Sequence, residues 1–236
     1  MKNKITLTII LTSLFMLLTG ALTAHAACTG HLDGVSGDTI SGWAWDPEDP
    51  QKEVSVTLTI KNAADSAVVR SLTVNACESF SHLADAGIGT GNYGFSANAA
   101  LSALPDGVYL AEASGNGDRL PNTLVLDKSG ASVKTISASG VRSLGAFTTT
   151  AYCPCYTCSE GWGRSTSTGA VATARHTIAV DPRVIPYGSR VLVGGVVYTA
   201  EDRGGGVKGN HIDIFFDTHA ETRQYGTRTM EVLLLQ

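Results

Sequence analysis

Residues 200–216, AEDRGGGVKGNHIDIFF, place two aspartates on either side of a glycine-rich turn, each beside an apolar strand pattern. Asp202 closes the first pattern, and Asp213 lies eleven residues later, within the second. Upstream, AVDP at residues 179–182 places Asp181 after a third apolar run. A carboxylate beside a buried strand is costly unless it is paired or hydrogen-bonded. One such acid is most simply a turn cap, but three of them beside a glycine-rich loop predict a functional site.

The residues around this stretch predict a compact β-barrel with one helix. Runs rich in β-branched or aromatic residues predict six short strands, at 146–152, 176–181, 189–193, 196–202, 211–217 and 227–234. Thr218 and Glu221 stand in capping-box register, and Gly226 occupies the position of a left-handed helix stop. We therefore predict a six-stranded barrel with one short helix before its last strand.

Residues 27–127 show a different pattern, that of a β-sandwich. Short alternating runs, separated by Asp-Gly, Gly-Asn and Pro-Asp-Gly turns, occur at 54–60, 68–74 and 108–112. Residues 128–144 are small and polar, which is typical of a linker. The sequence therefore predicts an all-β protein with a β-sandwich at 27–127, a linker at 128–144 and a barrel at 145–236.

The first 26 residues have the layout of a secretory signal peptide. Lys2 and Lys4 precede an uncharged apolar run that ends on the small-x-small triplet AHA at residues 24–26. We predict cleavage after residue 26 and export to the periplasm, cell envelope or extracellular space, with no transmembrane segment in the mature chain. A retained anchor is one alternative, although threonines and a glycine interrupt the run. A lipoprotein at Cys28 is another, although His25 stands where a lipobox places a large aliphatic residue.

The charge of the chain argues against a nucleic-acid partner. The sequence holds 17 Lys and Arg against 21 Asp and Glu, a formal charge of -4, and loss of Lys2 and Lys4 with the signal moves this to -6. An acidic chain is a poor match for a polyanion. The imbalance lies in residues 27–144, with 7 basic and 13 acidic groups, whereas residues 145–236 hold 8 of each. This asymmetry favours two modules.

Five cysteines in an exported chain favour disulfides. Cys28 and Cys77 belong to the first module, and their simplest pairing is with each other. Cys153, Cys155 and Cys158 lie together in YCPCYTC and cannot all pair internally. We predict one local disulfide, of Cys153 or Cys155 with Cys158, and one further thiol that is free or intermolecular.

A metal ion is the alternative interpretation of the cysteine cluster at residues 153–158. Zinc would need a fourth ligand such as His176, His211, His219 or His31, and none of them stands at a recognisable spacing. Disulfides explain these cysteines better, so the sequence predicts no metal site.

Residues 147–236 resemble the 3D domain, a family named for its three aspartates. The motifs that carry the resemblance are TAYCPC, TSTGA, VDPRVIPYGS and AEDRGGGVKGNHIDIFF. The same domain occurs in membrane-bound lytic transglycosylase A and in secreted stationary-phase or resuscitation-type proteins, where it folds as a double-psi β-barrel. The resemblance therefore implies a double-psi barrel here, with Asp181, Asp202 and Asp213 as the three aspartates.

The resemblance implies a peptidoglycan lytic transglycosylase, which cleaves the β-1,4 bond between N-acetylmuramic acid and N-acetylglucosamine and leaves a 1,6-anhydromuramyl end. One carboxyl acts first as an acid toward the glycosidic oxygen and then as a base toward the sugar's 6-hydroxyl, so no cofactor is implied. In the family this acid lies in the last aspartate motif, here Asp213, with Ile212 and Ile214 on the opposite face of the strand. Asp202 is the expected partner, because a second carboxylate raises the pKa of the first. Asp181 is expected to orient loops or to bind sugar hydroxyls.

Five other residues are candidates for binding the glycan strand. Gly204 and Gly205 carry no Cβ, so their backbone N–H groups can approach a sugar closely. Lys208 is a candidate contact for muramyl lactate or peptide carboxylates, and a solvated lysine is the equally simple alternative. Thr168 and Tyr152 are candidates for lining the groove.

One position departs from the family pattern. Arg203 follows Asp202 where the family often shows Asp-Thr-Gly-Gly. An inward guanidinium would lower the pKa of the catalytic acid and oppose catalysis, whereas an outward one would have no effect. The sequence leaves both orientations open.

Two other functions fit the same residues. A noncatalytic, expansin-like cell-wall-binding protein would use the same groove and release no product. A β-1,4-glycan hydrolase would need a base that holds water across the sugar ring from the acid, which transglycosylation does not need. One fold hosts several activities, so the fold alone does not separate them.

The first module opens with GWAWD, which resembles a repeated module of bacterial secreted proteins. Trp43 and Trp45 alternate with Ala44 and therefore share one face of a strand. On an exposed face they would form a sugar-stacking platform. Large aromatic side chains are usually buried, so we predict that both belong to the sandwich core.

Overall fold

The chain is described here by a computed structural model that covers residues 28–236, so the predicted signal peptide lies outside the described residues. The fold is all-β, as predicted, with a two-sheet sandwich followed by a closed barrel. The sandwich strands are β1 (Thr29–Ser36), β2 (Thr39–Trp45), β3 (Val54–Asn62), β4 (Val68–Ala76), β5 (Gly94–Asn98), β6 (Gly107–Gly115), β7 (Asp118–Arg119), β8 (Leu124–Ser129) and β9 (Ser132–Ser137). One sheet has the order β1-β2-β5, and the other has the order β4-β3-β6-β8-β9 with β7 paired to β6.

The sandwich core forms because alternate residues of each strand face the opposite sheet. In β3, for example, every second residue from Val54 to Ile60 is buried. Ile40 and Phe95 of the first sheet pack in one cluster with Leu58 and Leu126 of the second. Burial of each such side chain stabilises the fold by about 1.5–3 kcal/mol.

The second unit is a six-stranded closed barrel, as the sequence predicted. Its strands are β10 (Val141–Tyr152), β11 (Thr177–Ala179), β12 (Arg190–Val193), β13 (Val196–Asp202), β14 (His211–Phe215) and β15 (Arg228–Leu235), closed in the order β10-β14-β11-β13-β12-β15. The pairs β10/β14 and β11/β13 are parallel, and the others are antiparallel. All six strands predicted for this region are present, and Phe147, Ile178, Val191, Ile212 and Val232 fill the interior.

The predicted helix is confirmed together with its capping residues. Helix α3 (His219–Tyr225) begins after Thr218, whose side chain and that of Glu221 form a complete capping box, and Gly226 ends it at φ 64°. The described residues contain two further short helices that the sequence did not predict, α1 (Ser81–Asp85) and α2 (Tyr156–Ser159), and a 3₁₀ turn at Leu101–Ala103. The barrel region therefore holds two short helices, because the cysteine-rich segment after β10 coils into α2.

The segment predicted as a linker, residues 128–144, is instead mostly strand. It contains the end of β8, all of β9 and the start of β10. Ser132 and Lys134 of β9 face solvent, whereas Ile136 of β9 and Val141 of β10 pack against an apolar cluster between the two units. That cluster contains Leu110 and Val125 of the sandwich and Leu192, Leu233 and Leu235 of the barrel.

The two tryptophans of GWAWD do not lie in the sandwich core, contrary to the prediction. Ala44 is fully buried against the second sheet, whereas Trp43 and Trp45 are half-buried on the other face of β2. The strand alternation explains this placement, because only one face of β2 can meet the core and the small residues Gly42 and Ala44 occupy it. Within residues 28–236, every helix is too short to span a bilayer.

Candidate functional site

Two of the three aspartates lie in one row across four neighbouring barrel strands. Thr150 of β10 pairs with Asp213 of β14, Asp213 pairs with Ala179 of β11, and Ala179 pairs with Asp202 of β13. Residues in register on adjacent strands point to the same face, so the row forms one surface. Ala179 leaves space between the two carboxyl groups because its side chain is a single methyl.

A local irregularity in β13 selects Asp202 for this row. Ile178 pairs with Ala200 but Ala179 pairs with Asp202, so Glu201 is an extra residue in β13. Such a β-bulge changes the direction of side chains and occurs often beside active sites. Glu201 instead accepts a hydrogen bond from Thr177 Oγ1 at 2.7 Å.

The row forms the floor of a cleft of about 350 Å³. Asp202, Asp213 and Ala179 line it from the barrel, and Gly204 and Gly205 line its edge. The facing wall comes from the segment after β10, at 158–160, 162–163 and 165–167. The volume falls within the range of small-molecule and saccharide-fragment sites, about 300–1,000 Å³.

Asp213 is a mostly desolvated carboxyl with one hydroxyl donor. Thr150 Oγ1 donates to Asp213 Oδ1 at 2.7 Å, and the same hydroxyl lies 2.9 Å from His211 Nε2. Burial raises the pKa of Asp213, and the charge of Asp202 adds to this, while the Thr150 hydrogen bond and His211 oppose it. Ile212 and Ile214 point to the barrel interior, as the alternation requires. The net result is a carboxyl that holds its proton to a higher pH than usual.

Asp202 is surrounded by donors. Tyr152 Oη donates to Asp202 Oδ2 at 2.9 Å, and the backbone N–H groups of Ser167 and Arg203 donate to Oδ1 at 2.9 and 2.8 Å. Burial and the neighbouring Asp202 raise the pKa of the Tyr152 hydroxyl, so it remains a donor. Three donors match the acceptor-only character of an ionised carboxylate.

Asp181 lies outside the cleft. Its side chain is 4% exposed and is held by the Arg183 guanidinium, at 3.0 and 2.7 Å, and by the Gly209 backbone N–H at 2.9 Å. The Arg183 hydrogen bonds, followed by those from backbone N–H groups, lower the pKa of Asp181. Gly209 has φ 62°, so the turn that aims its N–H requires a left-handed residue. Of the two roles expected for Asp181, this geometry fits loop orientation.

The remaining candidates divide between the cleft and its surroundings. Tyr152, Gly204 and Gly205 line the cleft, whereas Lys208 and Thr168 are exposed residues that are not among the described lining. Thr168 Oγ1 donates to the Glu201 backbone carbonyl at 2.8 Å, a structural role.

Arg203, the departure from the family pattern, is exposed at the rim of the cleft. Its backbone N–H binds Asp202, and the groups that shift the pKa of Asp213 are burial, Thr150, His211 and Asp202. The outward orientation of the guanidinium therefore agrees with an acidic function for Asp213.

Sequence reasoning missed three residues around the cleft. Thr150 contacts Asp213 directly, and His211 contacts the Thr150 hydroxyl. Trp162 is 72% exposed on the facing wall of the cleft. The strand pairing of β10 with β14 identifies Thr150, but that pairing joins residues more than sixty positions apart. The sequence offers one signal for Trp162, because the glycines on both sides of it indicate a loop. Exposed aromatic residues often mark binding surfaces.

All five cysteines are free thiols in the structure, contrary to the predicted disulfides. Cys28 is buried in the sandwich core and Cys77 is exposed, and the two are not bonded to each other in the structure. Cys153, Cys155 and Cys158 lie together at the end of β10, unbonded to one another.

The C-terminal region is similar to known proteins. Residues 176–236 match the family model of the 3D domain. From Bacillus subtilis (strain 168), the "Cell wall-binding protein YocH" is 48% identical over 59 residues, and the "Putative cell wall shaping protein YabE" is 46% identical over 59 residues. Each alignment covers 25% of this chain, and the chain spans 21% of the first relative and 14% of the second.

Two solved structures also resemble part of the chain. The first is MltA from Escherichia coli, whose structure is described as a unique lytic transglycosylase fold. The alignment covers 30% of this chain and 27% of the MltA chain, with 23% identity and a TM-score of 0.27. The second is the lytic transglycosylase LtgG of Burkholderia pseudomallei. That alignment covers 30% of this chain and 26% of the LtgG chain, with 25% identity and a TM-score of 0.27. The family match begins at residue 176, so β10 and the cysteine cluster precede it.

Proposed function

We propose that the chain acts on the bacterial cell wall as an exported peptidoglycan lytic transglycosylase, a proposal supported by the match of residues 176–236 to the 3D-domain family model. The substrate is the glycan strand, cleaved at the β-1,4 bond between N-acetylmuramic acid and N-acetylglucosamine. The names of the two Bacillus relatives, which refer to binding and shaping the cell wall, support this substrate class and an extracytoplasmic location. The observation that carries the proposal is the buried, proton-retaining Asp213 on the floor of an open cleft.

The first step of the reaction is proton donation. Asp213 gives its proton to the glycosidic oxygen as the bond from that oxygen to the anomeric carbon breaks, and N-acetylglucosamine leaves as an alcohol. Positive charge then develops on the anomeric carbon and ring oxygen. The Asp202 carboxylate, fixed by its three donors, lies in the same row and stabilises this charge.

The second step returns the proton to Asp213. The Asp213 carboxylate takes the proton of the muramyl 6-hydroxyl while that oxygen attacks the anomeric carbon, which closes the 1,6-anhydro ring. The Thr150 hydroxyl stabilises the carboxylate between the two steps, since it donates to Oδ1. No water enters the reaction, and the enzyme regains its starting protonation state.

A cell-wall-binding protein without catalysis is the second candidate. It is favoured by the exposed Trp162 beside Gly204 and Gly205, because an aromatic face and accessible backbone N–H groups suffice to hold a sugar. The paired Trp43 and Trp45 on the outer face of the sandwich add a second aromatic surface. A β-1,4-glycan hydrolase remains the third candidate and differs in its product.

Mass spectrometry of fragments released from purified peptidoglycan tests the proposal. The mature chain, Asp213→Asn and the control Lys134→Gln, which changes an exposed residue of the sandwich, would each be incubated with peptidoglycan, with binding measured in parallel by sedimentation. We expect anhydromuramyl ends from the mature chain and the control, and none from Asp213→Asn, which should still bind. Reducing ends would instead identify a hydrolase, and binding without any fragment would establish the wall-binding function.

A further inference from the structure

Three thiols and one imidazole converge at the end of β10, beside the cleft. Cys153, Cys155 and Cys158 come from one short segment, and His219 is the first residue of α3. His219 Nδ1 lies 3.8, 3.7 and 3.3 Å from the sulfur atoms of Cys153, Cys155 and Cys158, and the Cys153 and Cys155 sulfurs are 3.3 Å apart. All four ligand atoms lie within 4.8 Å of one another.

These distances agree with a tetrahedral metal site. Zinc binds thiolate sulfur at about 2.3 Å and imidazole nitrogen at about 2.0–2.1 Å, so tetrahedral angles place ligand atoms about 3.5–3.8 Å apart. The observed separations from His219 Nδ1, 3.3 to 3.8 Å, lie close to this range, whereas the Cys153 and Cys155 sulfurs, 3.3 Å apart, must move apart by about 0.5 Å when the metal binds. A metal uses all three thiols and the imidazole together, whereas any disulfide within the cluster leaves one thiol over.

The fold explains why residues so distant in sequence meet here. The parallel pairing of β10 with β14 continues past the strand ends, where the Phe216 N–H donates to the Tyr152 carbonyl at 2.8 Å. The segments that follow, Cys153–Cys158 and residues 217–219, therefore start side by side. The sequence analysis favoured disulfides because no histidine, His219 included, stands at a recognisable spacing from the cysteines.

A second contact fixes the same two segments independently. Arg164 Nη2 donates to Asp217 Oδ1 at 2.7 Å, and the Arg164 guanidinium stacks over the Phe215 ring at 5.2 Å. The ligands are thus presented by segments that other side chains already hold together.

We propose that Cys153, Cys155, Cys158 and His219 form a structural Zn²⁺ site. Three thiolates with one imidazole in tetrahedral arrangement are typical of zinc, and four protein ligands leave no open position for catalysis. Binding displaces the protons of the three thiols. The ion joins the cleft wall to α3, because Cys158 is both a ligand and a lining residue of the cleft. Ser159 and Trp162, which follow it in the chain, line the same wall.

Metal content and spectroscopy test this site without any assay of activity. The mature chain would be purified without chelators, and its zinc measured by inductively coupled plasma mass spectrometry after incubation with equimolar Zn²⁺. Cys158→Ser and His219→Asn remove ligands, and the matched controls Cys77→Ser and His82→Asn remove exposed residues of the sandwich. Cobalt substitution would report the coordination, since thiolate ligands and tetrahedral geometry give distinct absorption bands.

We expect one zinc per chain in the mature protein and both controls, and affinity at least about 100-fold weaker in the two ligand variants, since even outer-shell changes cost about 10–100-fold. Chelation should also speed tryptic cleavage after Arg164, but not after Arg119. Failure to bind zinc, equal zinc in all variants, or a disulfide among the three cysteines of the isolated protein would overturn the proposal. None of these outcomes depends on whether the chain cleaves glycan.

Discussion

Asp213 and Asp181 show how two regions of one barrel give the same residue opposite properties. Both are removed from solvent to a large degree and both belong to the three-aspartate pattern. Asp181 lies in a clamp formed by Arg183 and the Gly209 backbone N–H, and its pKa is lowered. Asp213 receives one hydroxyl and faces a second carboxylate across Ala179, and its pKa is raised. Burial alone therefore does not select the catalytic acid; the donors around each carboxyl do.

The largest contrast should appear in the rate of glycan cleavage. Asp213→Asn removes the proton donor, so we expect a loss of about 10²–10⁴-fold in the rate, the usual contribution of general acid–base catalysis. Asp181→Asn removes no reacting group and should retain most of the rate once the folded fraction is taken into account. Quantified release of anhydromuramyl fragments measures both rates. Equal losses in the two variants would show that Asp213 in the cleft matters no more for the rate than Asp181 in its clamp.

The pH dependence of cleavage should identify the charge that acts on Asp213. The acid must be protonated, so kcat/KM should fall as pH rises through its raised pKa. Asp202→Asn removes a charge that raises this pKa, so the descending limb should move to lower pH. A limb that stays in place or moves to higher pH would show that Asp202 does not act on the acid through its charge.

Stability should depend on pH with opposite signs at the two sites. The folded-state pKa of Asp181 is lowered, so the clamp stabilises the fold above the ordinary pKa of 3.8, and this contribution disappears as pH falls through the folded value. Asp181→Asn should therefore lower the melting temperature by about 5 °C at neutral pH, and by less in acid. For Asp213 the folded pKa is raised, so its ionisation opposes folding and Asp213→Asn should gain relative stability as pH rises above 3.8. Melting curves of both variants and of the unmodified chain, recorded from acid to neutral pH, measure these effects. Changes in melting temperature that have the same sign in both variants would contradict the prediction.

The smallest effect should come from Thr150. Thr150→Val keeps the shape of the side chain and removes its hydrogen bond to Asp213, which lowers the pKa of that carboxyl. The descending limb of the pH profile should move to higher pH, and the maximal rate should fall by about 2- to 12-fold, because the carboxylate intermediate loses a hydrogen bond worth about 0.5–1.5 kcal/mol. Thr227→Val, at an exposed position outside the cleft, serves as the matched control.

The barrel could be predicted because its signals are local. Each strand carries its own run of β-branched residues, and Thr218, Glu221 and Gly226 mark the ends of α3 within eight positions. The motif resemblance then implied a barrel of the double-psi type, which no periodicity contains. The linker prediction failed for the converse reason, since small polar residues also suit a strand whose outer face meets solvent.

The site could be predicted only in part because its contacts are distant in sequence. The approach of Asp202 to Asp213 depends on the extra residue Glu201 in β13, and a bulge has no signature in this stretch. The Thr150 hydrogen bond to Asp213 and the approach of His219 to Cys158 both depend on the parallel pairing of β10 with β14. None of these contacts has a signature within a single segment of the sequence.

The apolar cluster between the sandwich and the barrel has a consequence for cooperativity. Leu192, Leu233 and Leu235 belong to the barrel, but Leu110 and Val125 of the sandwich cover them. A fragment that begins at residue 145 would leave these leucines in contact with water and would lack the first four residues of β10. The two units should therefore unfold in a single thermal transition, and soluble expression of the barrel should require the sandwich.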